Sequence, residues 1–335
     1  MLNRPVRGLC LVGVVFLLSV SLYGGVPPTA VLAQSGQTTP TPEPTVDPFI
    51  GLSIPELAAR SYGGGQLANI QILSRAATFT RYLISYPSDG LTIYGFMDVP
   101  VATPRNGSTY PVIVAVHGYI SPAVYETIDY TARYADAMAS AGYLVLHPNL
   151  RGYRPSDSAP NLLRVGFAID VLNLIAIVRA RGGQPGTLQK ASATAIGLWG
   201  HSMGGGISIR AMTVDPHIRA VVLYSAISGD DRLNMQRFHG RQGQYDITVP
   251  DDVFQKTSPM YFYDRVQAAV SIHQGLADTT VPPAWSADLC SRLQALQKSV
   301  ECFTYPGEGH TMKGAGDQLF IQRMMAFFDA HLRAG

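Results

Sequence analysis

The stretch AIGLWGHSMGGGISIRAM, from Ala195 to Met212, decides the predicted fold. It opens with an apolar run typical of a buried strand, passes through GHSMG at positions 200–204, and continues with a helix-like pattern. G-x-S-x-G at a strand-to-helix turn is typical of a nucleophilic serine, here Ser202, held at the apex of a sharp bend. The alternative is a glycine-rich turn with an inert serine, because 33 glycines in 335 residues make the pentapeptide alone weak evidence.

Short apolar runs on both sides of this stretch predict further strands, and helix-length segments lie between them. The runs are VIVAV (112–116), YLVLH (143–147), AIGLW (195–199), AVVLY (220–224), AVSIH (269–273) and ECFTY (301–305). Strands that alternate with helices predict an α/β fold with a mostly parallel central sheet and helices on both faces. FTRYLISY and LTIYGFMDV, separated by residues 87–90, predict an antiparallel hairpin at one edge.

Composition sets limits on size and partners. The chain has 335 residues, of which 47% are hydrophobic and 14% charged, with a formal net charge of +2. This is enough to bury one large core or two modest ones. The balanced charge gives no reason to expect a nucleic-acid partner.

The N-terminus reads as a targeting segment. Arg4 and Arg7 precede an apolar run from Leu9 to Leu22, and VLA follows before Gln34. This pattern predicts a secretory signal peptide over residues 1–33, and an uncleaved membrane anchor is the alternative. Residues 34–48, rich in proline and threonine, predict an extended linker before an α/β domain over 49–335. We therefore expect a secreted or extracytoplasmic protein.

Cleavage at that site would remove Cys10 and leave Cys290 and Cys302. An even pair in an exported protein predicts a disulfide. Two buried free thiols are the alternative, because spacing along the sequence does not fix side-chain geometry.

A serine hydroxyl needs a base to become nucleophilic, and the base needs a carboxylate that orients it. In this architecture the acid and then the histidine follow the serine along the chain. His310, in the loop YPGEGH after the last predicted strand, is the expected base, in preference to His273 and His331. Asp278, directly after the preceding strand, is the expected acid. Asp230 and Asp231 are the alternative candidates for the acid. Glu308 is expected to be a surface residue.

The oxyanion that forms on attack needs backbone N–H donors. One is expected from Met203, after the serine, and the other from Tyr119 in the loop VHGYIS that follows an early strand. Gly118 would let this backbone come close. His117 and His201 are expected to brace their turns by hydrogen bonds. No metal or nucleotide cofactor is implied.

With these residues in place, the region from about Phe79 to Leu332 resembles an α/β-hydrolase-fold serine hydrolase. HGY, NLRGYRPSD, GHSMGGG, GLADTTVP and GEGH occur in that family's order. Within that family the sequence resembles the prolyl-oligopeptidase catalytic domain and the dienelactone-hydrolase-like esterases. The resemblance implies a Ser202–His310–Asp278 triad with an oxyanion hole from Tyr119 and Met203. The role of Arg151-Gly152 in NLRGYRPSD is left open as structural or pocket-lining.

Two features bear on the substrate. Prolyl oligopeptidases carry a β-propeller before the catalytic domain, whereas only residues 49–78 lie between the linker and the hairpin here. Residues 227–263 are longer than a simple connection and predict a small cap that contributes to substrate choice, or else a surface excursion.

Three hypotheses follow. The first is an exported hydrolase of carboxylic esters that works through an acyl-enzyme. The second is a peptidase of the prolyl-oligopeptidase type, with a short peptide as substrate. The third is a non-catalytic binding protein on a hydrolase fold. We expect contact with a membrane only through the N-terminal segment, and only if that segment is not cleaved.

Overall fold

A computed structural model of the chain describes residue 25 and residues 47–105, 107–239 and 248–333. The predicted signal peptide, nearly all of the predicted linker, Cys10 and part of the predicted cap lie outside the described residues. Within the described part of the chain, no helix is both long and apolar enough to span a bilayer.

The described strands form one sheet. They are β1 (Ala68–Arg75), β2 (Phe79–Ser88), β3 (Leu91–Pro100), β4 (Tyr110–Val116), β5 (Leu144–Pro148), β6 (Ala191–His201), β7 (Ala220–Tyr224), β8 (Ala269–Gly275) and β9 (Val300–Tyr305). Their order across the sheet is β1-β2-β3-β5-β4-β6-β7-β8-β9. The first three are antiparallel, β3 pairs antiparallel with β5, and the remaining pairs are parallel. The predicted α/β-hydrolase fold is therefore confirmed.

Most of the described helices connect the parallel strands. The helices are α1 (Ile54–Ala59), α2 (Ala132–Ser140), α3 (Val165–Arg181), α4 (Met203–Val214), α5 (Asp231–Phe238), α6 (Asp251–Thr257), α7 (Pro283–Ala295) and α8 (Gly314–Phe328). Of these, α1 precedes the sheet along the chain and α8 follows its last strand. Short 3-10 turns cover Leu162–Arg164 and Pro259–Arg265, and a π-helical turn covers Asp329–Arg333. The segment 227–263, called the insertion below, thus contributes α5 and α6.

The two faces of the sheet carry separate apolar clusters, because successive side chains of a strand point to opposite faces. In β4, Val112 and Val114 join the cluster that packs α1, α3, α4 and α7. Ile113 and Ala115 join the cluster that packs α2 and α8. Burying a valine or isoleucine side chain fully contributes about 1.5–3 kcal/mol, so the central strands fix both layers.

The antiparallel edge is wider than the sequence predicts. The hairpin turn lies at Asp89-Gly90, where both residues have positive φ, and residues 87 and 88 belong to β2. Strand β1 precedes this hairpin and pairs with β2. Nearly all its residues are exposed, so the sequence carries no burial pattern that predicts it.

Cys290 of α7 and Cys302 of β9 form a disulfide, with their Cα atoms 6.4 Å apart. The bond joins a helix to the edge strand beside it. A cross-link that closes a loop of this size stabilises a fold by about 3 kcal/mol.

The order of the strands also places the site. The chain leaves β4 toward β5 and then returns to β6 on the other side of β4. Ligands bind beyond the carboxyl ends of parallel strands at such a reversal. The loops after β4 and β6 carry residues 117–119 and Ser202, both singled out by the sequence.

Candidate active site

Ser202 stands between the last residue of β6 and the first residue of α4, with φ 55° and ψ −115°. A positive φ at a residue with a side chain is strained and persists only where its surroundings hold it. The main chain of Ser202 is held by three hydrogen bonds: its N–H donates to Tyr224 O (2.9 Å), and its carbonyl accepts from Gly206 N (3.2 Å) and Ile227 N (3.1 Å). The serine is 8% exposed, at the carboxyl edge of the sheet.

The glycines of the motif are required by close approach. A Cβ at Gly204 would overlap the carbonyl of Val116 at the end of β4, and a Cβ at Gly200 would overlap the backbone of Gly204. Neither neighbour is a flexible side chain that can move aside. The bend therefore depends on both glycines, as the pattern predicts.

Asp278 and His310 lie together. Asp278 Oδ2 accepts from His310 Nδ1 at 2.7 Å and from the Gln274 side-chain amide at 3.2 Å. Oδ1 accepts from the backbone N–H groups of Thr280 (2.8 Å) and Val281 (2.9 Å). Burial alone would raise the pKa of Asp278, but the hydrogen bonds from His310 and from these backbone amides hold it below its ordinary value. The carboxylate is thus kept ionised beside the imidazole.

Backbone contacts hold the loop of His310 against the loop of Asp278. Ala277 N donates to Glu308 O at 2.8 Å, and a Cβ at Gly275 would overlap the carbonyls of Glu308 and Gly309. The side chain of His310 is 21% exposed, whereas that of Asp278 is fully buried. A partly exposed imidazole is thus hydrogen-bonded to a buried carboxylate.

The side chains of Ser202 and His310 are not joined by a hydrogen bond in this structure. Within the residues that the structure describes, the Ser202 hydroxyl makes no hydrogen bond. The two loops are nevertheless neighbours. The imidazole of His201, next to Ser202 in the chain, donates from Nε2 to His310 O at 2.9 Å, and the two histidine rings are 4.7 Å apart. Hydrogen bonds of catalytic groups are often long without substrate and tighten when it binds.

The predicted oxyanion donors, Tyr119 and Met203, lie in the loop after β4 and directly after Ser202, respectively. Within the described residues, their N–H groups make no backbone hydrogen bond to a turn or loop. Gly118 comes so close that a Cβ there would lie 3.2 Å from Ser202 Cβ. Met203 is the first residue of α4, so the positive end of a helix dipole points at the same place. This arrangement can stabilise negative charge beside the serine oxygen.

The sequence did not single out Tyr130, which joins the loop after β4 to the turn at Ser202. Its hydroxyl lies 2.6 Å from His201 Nδ1 and accepts from Gly118 N at 3.2 Å. Burial and the nearby His310 lower the pKa of His201 to about 3, so this ring is neutral. Because Nε2 donates to the His310 carbonyl, Nδ1 must accept, and the Tyr130 hydroxyl donates to it. The chain of hydrogen bonds links all three loops.

The remaining candidates lie elsewhere. Asp230 caps α5, and Asp231 binds the guanidinium of Arg210 (2.8 Å). His273 is buried in β8 between the hydroxyls of Ser271 and Tyr305. His117 lies between the carbonyls of Gly118 and Asn149, so it braces its turn.

Three further residues of the sequence analysis have plain positions. Glu308 is half-buried and accepts from Lys313 N at 2.9 Å, and His331 is half-buried against Phe327. Arg151 forms a buried ion pair with Asp170 on α3 at 2.7 Å, which assigns it a structural role.

We find no metal site in the described part of the chain, where no three or more His, Cys, Asp or Glu side chains are grouped to hold an ion.

Two family models match the chain. The prolyl oligopeptidase family matches residues 187–335, which include Ser202, Asp278 and His310. The alpha/beta hydrolase fold family matches residues 111–258. A comparison with curated proteins found no match.

Solved structures share the fold. A puromycin-hydrolyzing peptidase of Mycobacterium tuberculosis is 22% identical with TM-score 0.61, over 77% of this chain and 40% of its own. Acetyl xylan esterase 1 of Thermoanaerobacterium sp. JW/SL YS485 is 18% identical with TM-score 0.59, over 79% of this chain and 88% of its own. The acylaminoacyl peptidase of Pyrococcus horikoshii is 22% identical with TM-score 0.60, over 78% of this chain and 43% of its own. This chain thus spans less than half of either peptidase.

Proposed function

Because the chain is an α/β hydrolase similar to the prolyl oligopeptidase family, we propose that it is an exported serine hydrolase that cleaves carboxylic esters. The observation that carries the proposal is the strained Ser202 at the same edge of the sheet as the hydrogen-bonded Asp278–His310 pair, whose carboxylate is buried. Strained backbone of this kind is concentrated at functional sites.

In the proposed reaction, Ser202 Oγ attacks the acyl carbonyl while His310 Nε2 takes its proton. Asp278 holds the imidazole in the tautomer that carries a proton on Nδ1 and stabilises the imidazolium. The oxyanion accepts hydrogen bonds from the N–H groups of Tyr119 and Met203. His310 then protonates the leaving alcohol, and an acyl-enzyme remains. Water, activated by His310, releases the acid and restores the serine.

The preference for esters rests on access to the site. Residues 49–78 form α1 and β1, and Ile54 and Leu57 of α1 are fully buried against the core of this same domain. No separate gating domain therefore lies between the predicted linker and the hairpin. Both acetyl xylan esterases and peptidases share this fold, so the fold itself does not decide between ester and amide.

A peptide amide is the second candidate. The prolyl oligopeptidase family model covers the nucleophile, acid and base, and both peptidases named above align over three quarters of this chain or more. The chemistry would be the same, with an amine as leaving group.

Turnover of short acyl p-nitrophenyl esters and of aminoacyl naphthylamides separates the two candidates. We expect the wild type to hydrolyse the esters with a higher kcat/KM than the amides. Ser202→Ala should abolish both activities, whereas Ser121→Ala, in an exposed position after β4, should retain them. Preference for the amides would replace the first candidate by the second. Hydrolysis of neither substrate class by the wild type would contradict the proposed function.

We also propose export, which the disulfide and the predicted signal peptide over 1–33 support. N-terminal sequencing of protein recovered from the expressing host should begin at Gln34. A protein that begins at Met1 and stays in the membrane fraction would favour the anchor.

A further inference from the structure

The loop that carries Asp278 is bound by a helix of the insertion. Arg237, in the last turn of α5, donates from Nε to Thr280 O at 3.1 Å and from Nη2 to Thr279 O. Both hydrogen bonds come from the guanidinium of Arg237. Both carbonyls belong to the turn that follows Asp278 directly.

The same two peptide groups bind the carboxylate. The carbonyl of Thr279 and the N–H of Thr280 are one peptide group, and the carbonyl of Thr280 and the N–H of Val281 are the next. Each accepts from Arg237 at its oxygen and donates to Asp278 Oδ1 at its nitrogen, over 2.8 Å and 2.9 Å. Hydrogen bonds in such a chain polarise one another, and a charged donor at one end strengthens the bonds that follow. The guanidinium is thus linked to the carboxylate through two peptide groups.

Apolar packing keeps α5 in place against this loop. Val281 is fully buried and forms a small cluster with Ile227 and Phe238, against which Met235 and Trp285 pack. The rings of Phe238 and Trp285 meet edge to face, with centroids 6.4 Å apart. Ile227 also donates its N–H to Ser202 O, so the cluster adjoins the nucleophile as well. A shift of α5 would therefore displace the turn that binds Asp278.

We propose that Arg237 is a positioning residue for the catalytic acid: it fixes the turn 279–281 and strengthens the hydrogen bonds that hold Asp278 ionised toward His310. This inference rests on the proposed function, since it assigns Asp278 as the acid. It gives the insertion a role in catalysis through the acid, in addition to any contact with substrate. Arg237 itself touches no reacting atom.

Three variants and one matched control test the proposal. Arg237→Ala removes charge and donors, Arg237→Gln keeps a neutral donor, and Arg237→Lys keeps the charge with a single donor group. Arg232 is the control, because it lies on the same helix but pairs with Asp251 and stacks on Phe254. We expect Arg237→Ala to lower kcat for a short ester about tenfold with KM nearly unchanged, as loss of a charge-assisted bond implies. Arg237→Lys should recover most of this, and Arg237→Gln less.

A spectroscopic measurement separates positioning from stability. The proton on His310 Nδ1, shared with Asp278, should give a low-field ¹H NMR resonance, which Arg237→Ala should move and Arg232→Ala should not. A wild-type resonance and kcat in Arg237→Ala would overturn the proposal, as would equal losses in Arg237→Ala and Arg232→Ala. A wild type without any hydrolase activity would defeat the proposed function instead, and the resonance would still report whether Arg237 acts on Asp278.

Discussion

Asp170 and Asp278 are two buried aspartates that accept similar numbers of hydrogen bonds but face different partners. Asp170, on α3, accepts from the amide and guanidinium of Arg151 and from Ser88 Oγ. Asp278 accepts from peptide amides and from the imidazole of His310. Arginine stays charged at all accessible pH values, whereas an imidazole gains and loses a proton near neutrality. Burial and hydrogen-bond donors alone therefore do not distinguish the two aspartates, but the chemical type of the partner does.

The position in the sheet agrees with this difference. Asp170 lies inside a helix and ties it to the loop after β5 and to the end of β2. Asp278 lies beyond the carboxyl end of β8, at the edge where Ser202 also stands. We expect substitution of the first to change stability and substitution of the second to change rate.

The largest effect is expected from Asp278→Asn. The carboxamide has the size of the carboxylate but favours the wrong tautomer of His310, so kcat for an ester should fall about 10⁴-fold. The melting temperature should stay close to that of the wild type. Steady-state kinetics with a p-nitrophenyl ester measures this, and a loss of less than tenfold would remove Asp278 from the mechanism.

Asp170→Ala should act on stability instead. It leaves the buried guanidinium of Arg151 without its partner, and breaking a buried pair in this way costs about 3–5 kcal/mol. Urea unfolding measures the loss, and kcat per active site should remain near the wild-type value. Asp252→Ala is the control, because its pair with Lys256 is 64% exposed on both sides and should matter little. Equal stability of the two variants would erase the contrast between structural and catalytic aspartates.

The dependence of stability on pH tests the burial of two histidine side chains. Burial lowers the pKa of His201 and of His273 to about 3, while the unfolded chain takes up a proton near pH 6.5. The unfolded state thus binds more protons below pH 6.5, so the free energy of unfolding should fall by roughly 2 kcal/mol for each imidazole between pH 7 and pH 5.

Urea unfolding at the two pH values measures this loss. His273→Gln should reduce the difference by about one imidazole's share, and His217→Gln, in an exposed position, should not. An unchanged difference in His273→Gln would mean that another group carries it.

The smallest effect concerns Tyr130→Phe. Removal of the hydroxyl leaves Gly118 N–H and His201 Nδ1 without this partner, so the oxyanion loop should hold its geometry less well. We expect kcat/KM to fall about tenfold, in line with the loss of these two part-buried hydrogen bonds. Tyr261→Phe, with a side chain that is 51% exposed, is the control. A wild-type rate in Tyr130→Phe would make the link between the three loops irrelevant to catalysis.

The features that could be predicted from the sequence are those that depend on residues close together in the chain. The nearly continuous apolar runs predicted the parallel strands, because strands buried on both faces need such runs. Ser202 and the glycines around it are prescribed by sterics within five residues. Asp278 and His310 each follow a predicted strand, so the topology brings them to one edge.

Features that depend on distant contacts were not predictable. Tyr130 meets His201 across 71 residues, and it is one of 17 tyrosines in the chain. Arg237 reaches Thr280 across 43 residues from a segment whose sequence mixes charged and aromatic residues. Strand β1 was not predicted because both its faces are largely exposed. A local sequence pattern does not show which distant residue will be in contact after folding.

The central claim, that His310 and Asp278 activate the Ser202 hydroxyl, is tested most directly by covalent labelling with a fluorophosphonate followed by peptide mapping in a mass spectrometer. The claim predicts one adduct, on Ser202, formed rapidly by the wild type and very slowly by His310→Ala and Asp278→Asn. An adduct on another serine, or equal labelling rates in all three proteins, would contradict it.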